Sequence, residues 1–242
     1  MFELSTFSLH LLAMTLMLMD HLWATLLPGQ EWLTCLGRLA FPIFAFLIVE
    51  GYFHTRNLKG YLKRLFLFAL LSEIPFNLLS GSSLIYPFHQ NVLWTFLIAL
   101  VSIAIIDKQL TKGLTIRNLL LTALIIFADL LSGTLLMVDY FGPGVLTVLV
   151  FYFFHKRNIF NFLAQLLCLY VINVEMLGGY YYPLTLFGRE FALVQQGFAL
   201  LALIPIWLYK GQRGYHSKAF QYFCYLFYPL HMLLIYLIWQ LT

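Results

Sequence analysis

Of the 14 lysines and arginines in this chain, twelve fall in four short segments, at 56–64, 108–117, 156–157 and 210–218; only Arg38 and Arg189 lie elsewhere. Apolar runs of helix length separate these segments, so that the basic residues recur at every second connection. Cytoplasmic loops of multi-pass membrane proteins carry this excess of positive charge. A chain so patterned is confined to a bundle of membrane-crossing helices, with its N-terminus and basic connections on the cytoplasmic side. Hydrophobic residues at 62% and charged residues at 10% agree with that class and lie outside ordinary soluble usage. The net charge of +4 then belongs to loop anchoring and gives no ground for a nucleic-acid partner.

A helix needs roughly 20 apolar residues to cross the hydrocarbon core. Nine spans are expected, at 6–27, 32–53, 61–80, 91–107, 117–132, 135–155, 159–177, 191–209 and 219–240, forming an all-α polytopic bundle with one domain over 1–242. The outer connections are then 28–31, 80–90, 133–134 and 178–190. Pro42, Pro75, Pro143, Pro205 and Pro229 fall within spans, where proline removes a backbone hydrogen bond and kinks the helix, a sign of a cavity. Cys35, Cys168 and Cys224 sit in apolar runs with neither CxxC spacing nor a histidine cluster, which reads as buried thiols rather than a disulfide frame or metal site. Asp20-His21 interrupts the first apolar run, and no basic segment precedes it, so a cleavable signal peptide is not expected.

Ionisable groups inside spans are costly and by default face the protein interior in a functional role. Counted at 1.5 Å per residue, His21 and Arg38 each lie roughly 9 Å from the outer ends of spans 1 and 2. Those spans are joined by four residues, so they are antiparallel neighbours, and Asp20, His21 and Arg38 can meet. Glu73, His89, Asn91 and His231 fall at a similar level, which predicts a polar cavity in the outer half of the bundle. Glu50 is the exception, near the inner end of span 2. A His–Asp pair beside an arginine or amide donor can deprotonate a hydroxyl or amine and steady an oxyanion. Acyl transfer uses such a set. Proton-coupled transport uses Asp/Glu/His relays of the same composition, and a non-catalytic assembly factor needs neither, so the residues alone leave these classes open. No GxGxxG or P-loop is present, which excludes a Rossmann or Walker nucleotide site.

Several motifs recur in a fixed order: Met19-Asp20-His21, then 37–46 (GRLAFPIFAF), 50–57 (EGYFHTRN), 61–65 (YLKRL), 72–76 (SEIPF), 89–92 (HQNV) and finally 228–231 (YPLH). This set resembles the TraX family, whose plasmid-encoded member acetylates the N-terminus of F-pilin, and beyond it the wider transmembrane acyltransferases. The resemblance is dense over the first ninety residues and brief at the last span. It implies a bacterial cytoplasmic-membrane acetyltransferase with acetyl-CoA as donor. The acceptor, a pilin-like protein, sugar or lipid, would lie at the outer face. Those wider relatives rely on an intramembrane histidine, and by its position that role falls here to His21 as base or transient acyl carrier, oriented by Asp20, with Arg38 and Asn91 as polar stabilisers and Glu73 and His89 lining the chamber. Arg56, Lys59, Lys63 and Arg64 would meet the phosphates of the donor. Tyr181, Arg189 and His231 would face the acceptor. No metal is implied.

Overall fold

The computed structural model describes residues 4–186 and 188–241, with only the backbone described at 184–186, 189 and 191. Helix starts follow local chemistry. Ser5, Asn57, Asn91, Thr115, Asn158 and Ser217 each turn a side-chain oxygen onto a backbone N–H of the first turn they precede. These residues cap α1 (Thr6–Ala24), α4 (Leu58–Gly81), α5 (Val92–Leu110), α6 (Ile116–Leu135), α8 (Ile159–Tyr170) and α10 (Lys218–Trp239), satisfying donors that would otherwise be orphaned.

The expected second span is broken. It forms α2 (Glu31–Gly37) and α3 (Ala40–His54), with Arg38 and Leu39 at the joint. α7 (Phe141–Phe153) follows α6, and α8 runs on as a π-helical turn over Val171–Leu177. Then come strands β1 (Tyr181–Leu186) and β2 (Arg189–Val194), a 3₁₀ segment over Gln195–Ala202, and α9 (Leu203–Leu208). Among the described residues six helices are long and apolar enough to cross a membrane: 6–24, 31–54, 92–110, 116–135, 159–177 and 218–239. Of the other three expected spans, α4 is long enough at 24 residues but carries Lys59, Lys63, Arg64 and Glu73. α7 has only 13 residues, and the eighth is cut short because 189–194 is strand.

The hairpin is a correction to the loop expected at 178–190. β1 and β2 pair antiparallel from Tyr181 with Val194 to Leu186 with Arg189, closed by Gly188 at φ +73°. Aromatic and β-favouring residues on both sides of that glycine explain the pairing. A second correction concerns Asp139, expected within the sixth span. α6 runs on through Gly133 to Leu135, and Asp139 lies in the turn between α6 and α7. The five prolines do fall within helical runs: Pro75 and Pro229 are interior to α4 and α10, Pro42 and Pro205 lie just past the α2–α3 and 3₁₀–α9 joints, and Pro143 sits in the first turn of α7, where its missing N–H costs nothing.

α3 is the central element, packed on α1, α5, α7 and the 3₁₀ segment, while α10 packs on α4 and α1. α6 shows how a membrane helix inverts soluble patterning. Its buried positions are Asn118, Thr122, Asp129 and Gly133, while Leu119, Leu120, Leu124, Phe127 and Leu131 point outward. Small and polar residues hold helices together in lipid, where burying leucine gains little. Gly133 and Gly142 let α6 and α7 touch backbone to backbone, since a Cβ on Gly142 would lie 2.2 Å from the Leu130 carbonyl oxygen.

Candidate active site

A cavity of about 440 Å³ opens between the α4–α5, α6–α7 and π–β1 connections, at the end of the bundle opposite the basic segments. Asp20, His21, Arg38, His89 and Asp139 line it, with Gln195 and Gln196, against a floor that includes Phe41, Phe96 and Tyr140. The sequence brought Asp20, His21 and Arg38 to one level, and the structure shows how they meet. A Cβ on Gly37 would lie 2.5 Å from Asp20 Cβ, so the absence of a side chain there lets α1 and α2 come together beside Arg38.

Asp20 does not orient His21. It is held by Arg38 Nη2, which donates to both carboxylate oxygens at 2.7 and 2.8 Å, and by the Thr34 hydroxyl, which donates at 2.8 Å. Arg38 Nε donates to Thr34 Oγ1 at 3.3 Å and Nη1 to Gln196 Oε1 at 3.4 Å. A guanidinium has five N–H groups, so one Nη1 hydrogen remains without a partner among the described residues. The pair is about four-fifths enclosed, with 18% and 17% of the two side chains exposed. An arginine bound this way carries a fixed, partly desolvated positive charge into the cavity.

His21 is oriented instead by His231 on α10, a contact across 210 residues. His21 Nδ1 lies 2.7 Å from His231 Nε2, the two rings are parallel with centroids 4.9 Å apart, and His231 Nδ1 lies 2.7 Å from the Phe227 carbonyl. That carbonyl can only accept, so His231 Nδ1 carries its proton. In the neutral ring Nε2 is then an acceptor, and His21 Nδ1 must be the donor. The chain of assignments leaves His21 Nε2 unprotonated. Among the described residues it makes no hydrogen bond, and its ring lines the cavity. His231 stands behind His21 rather than on an acceptor-facing wall, which corrects its expected place.

Two other expected members are elsewhere. Asn91 is fully buried and caps α5: its Oδ1 accepts from Leu93 N at 3.1 Å, and its Nδ2 donates to the Ala69 carbonyl at 2.9 Å and to Glu73 Oε2. Trp94 Nε1 donates to the same Glu73 oxygen at 2.9 Å. Glu73 and Asn91 therefore clamp α4 to α5 beside the cavity and do not line it. An asparagine placed just before an apolar run is an N-cap signal that the sequence carried. Signals for His231 behind His21 and for Asp139 beside His89 were absent, because each contact depends on tertiary packing.

Arg56, Lys59 and Lys63 are exposed at the α3–α4 turn and the start of α4, with Arg64 partly covered. They lie the length of α3 from Arg38, about 20 Å at 1.5 Å per residue. Tyr181 is exposed on β1. Its neighbour Tyr182 makes the contacts, donating to Glu31 Oε2 at 2.7 Å and accepting from Gln195 Nε2 at 3.3 Å. The side chain of Arg189 lies outside the described residues. Glu50 stays apart from the cavity, between His155 Nε2 at 2.6 Å and the Tyr209 hydroxyl at 2.9 Å. The three cysteines are unpaired and only partly buried, a milder burial than expected. Among the described residues no group of three or more His, Cys, Asp and Glu could hold a metal ion.

A model of the TraX protein family matches residues 5–239. The chain is also 28% identical to a probable fimbrial assembly protein FimC, serogroup H1, of Dichelobacter nodosus, over 96% of this chain and 95% of that protein. No solved structure matches.

Proposed function

The chain belongs to the TraX family, and we propose that it is a membrane acyltransferase that moves an acetyl group from cytoplasmic acetyl-CoA to an acceptor at the outer face. The observation that carries this reading is the hydrogen-bond chain from the Phe227 carbonyl through His231, which leaves His21 Nε2 free in a cavity it shares with Arg38. His21 Nε2 is the reacting atom. His231 is its positioning residue, fixing tautomer and ring plane. The remaining Nη1 hydrogen of Arg38 supports the oxygen on which negative charge develops as the thioester carbonyl is attacked. Asp20 and Thr34 hold that guanidinium in place.

The protein sits in the bacterial cytoplasmic membrane with its N-terminus inside. Nine helical segments cross it, counting the broken and short ones. Arg56, Lys59, Lys63 and Arg64 then face the cytoplasm, where they meet the phosphates of coenzyme A, and the pantetheine arm passes between helices toward His21. The acceptor enters past the hairpin near Tyr181 and Arg189. The name of the similar Dichelobacter protein favours a fimbrial or pilin-type subunit over a sugar or lipid. That name is equally compatible with a non-catalytic assembly role, and ligand binding separates the two. Acetyl-CoA at a hundredfold excess over its Kd stabilises a folded protein by about 2.7 kcal/mol. Detergent-purified protein is therefore expected to melt several degrees higher with acetyl-CoA. No shift with either acetyl-CoA or CoA would contradict the enzyme reading.

A further inference from the structure

His89, the second histidine of the cavity, differs from His21 in what stands behind it. His89 lies in the connection before α5, with Nε2 3.3 Å from Asp139 Oδ1. A carboxylate accepts only, so Nε2 carries the proton and Nδ1 is the unprotonated nitrogen of the neutral ring. The Phe76 ring meets the imidazole edge-on at 5.1 Å, and the Phe141 ring lies parallel at 6.3 Å. His21 is backed by a neutral imidazole; His89 is backed by a charge.

Asp139 is not free to swing away. Its Oδ1 also accepts from Tyr140 N at 3.1 Å, its backbone N donates to the Gln90 carbonyl at 2.8 Å, and its carbonyl accepts from the Thr95 hydroxyl at 2.6 Å. Gln90 N in turn donates to the Met137 carbonyl at 2.8 Å. Three non-glycine residues of this turn are left-handed: Met137 at φ 51°, Tyr140 at 61° and Phe141 at 50°. Such a conformation is strained for a residue with a side chain and persists only where its surroundings hold it. Here they hold a carboxylate against an imidazole at the mouth of a cavity.

The geometry points to a division of labour between the two histidines: His21 carries the acetyl group, and the His89–Asp139 pair is the general base that takes the proton of the acceptor. This rests on the acyltransferase reading and extends it. In the first step His21 Nε2 bonds to the thioester carbonyl carbon, the C–S bond breaks, and coenzyme A leaves as thiolate. The proton on His21 Nδ1 passes to His231 Nε2, so the acylated ring stays neutral. In the second step the acceptor nitrogen attacks the acetyl carbon, the bond from that carbon to His21 Nε2 breaks, and its electron pair returns to the ring. His89 Nδ1 takes the proton released by the acceptor. The proton from His231 returns to His21, and that from His89 passes to solvent to balance the thiolate. The charged groups acting on His89 are the carboxylates of Asp139 and, further off, Glu73, and both favour its protonated form. The hydrogen bond to Asp139 raises the pKa of His89 above its ordinary value, with burial opposing.

The test separates the two half-reactions in protein reconstituted in nanodiscs. Exchange of labelled CoA into acetyl-CoA without acceptor reports the first. Transfer to glycinamide, an α-amine largely protonated at neutral pH, reports the second, and hydroxylamine serves as an acceptor already unprotonated there. For His89→Gln the ratio of glycinamide transfer to exchange should fall about 10²- to 10⁴-fold, while the ratio for hydroxylamine falls far less. Wild-type glycinamide transfer should rise with pH through the raised His89 value, because the base must be unprotonated. That limb should move to lower pH in Asp139→Asn, which keeps an oxygen for Tyr140 N. An unchanged glycinamide ratio, or an equal fall for both acceptors, would overturn the proposal. Transfer without exchange in the wild type would also overturn it, while leaving the acyltransferase reading intact. Neither activity in the wild type would remove the reading itself.

Discussion

Purified His21→Ala protein is expected to release CoA from acetyl-CoA at least about 10²- to 10⁴-fold more slowly than the wild type, because the nitrogen that attacks the thioester is gone. The fold should survive, because His21 contributes one hydrogen bond to the bundle, and its loss leaves His231 tied to the Phe227 carbonyl. His231→Ala should give a smaller loss, carried by kcat more than KM. Without its partner His21 can adopt the other tautomer, with the proton on Nε2 and no lone pair facing the cavity. A turnover rate in His21→Ala equal to wild type, measured as free thiol released, would remove His21 from the chemistry.

The second large effect concerns stability. Arg38→Ala leaves the Asp20 carboxylate inside the bundle with only the Thr34 hydroxyl for support. Breaking a buried ion pair from one side costs about 3–5 kcal/mol, because the remaining charge is uncompensated. A pair with a sixth of its side-chain surface still exposed belongs at the lower end of that range. Melting in detergent is the readout, and Arg38→Ala is expected to melt well below wild type. The double variant Asp20→Asn with Arg38→Gln should recover most of the lost stability, since no charge is left behind, yet stay inactive for want of a cation in the cavity. Arg38→Lys sharpens the distinction. Both carboxylate oxygens are met by one guanidinium nitrogen, so an ammonium can still neutralise Asp20 while losing the contacts to Thr34 and Gln196, and stability should fall less than in Arg38→Ala. The Nη1 donor is lost, and activity should fall with it. Recovered activity in the double variant would mean that Arg38 serves only the fold.

The basic connections and the apolar runs between them made the multi-pass helical class legible. Lysine and arginine at alternate loops, with apolar runs between them, mark a multi-pass membrane chain, and six of the expected spans are helices long and apolar enough to cross among the described residues. Boundaries were less legible where tertiary contacts decide them. The joint at Arg38–Leu39 and the strand at 189–194 both interrupt apolar runs whose hydropathy reads as continuous helix. Within the site, the antiparallel pairing of the first two spans sufficed to bring Asp20, His21 and Arg38 to one level, because so short a link between them leaves no other arrangement. Which groups bond was another matter. Aspartate next to histidine in sequence suggests a dyad, but residues i and i+1 on a helix point about 100° apart, and Asp20 turns to α2 while His21 turns to α10. The partner of His21 lies at the far end of the chain, beyond any local pattern. Asp139 falls beside His89 because Met137, Tyr140 and Phe141 adopt left-handed conformations that their side chains disfavour, so no composition rule announces that turn.

The measurement closest to the central claim is a structure of the protein with an acetyl-CoA analogue whose sulfur is replaced so that transfer cannot occur. The account predicts the carbonyl carbon within about 3–3.5 Å of His21 Nε2, the separation of a reactive encounter. It also predicts the carbonyl oxygen toward Arg38 and the phosphates among Arg56, Lys59, Lys63 and Arg64. An analogue bound with its carbonyl remote from the cavity, or a cavity left empty at saturating analogue, would contradict it.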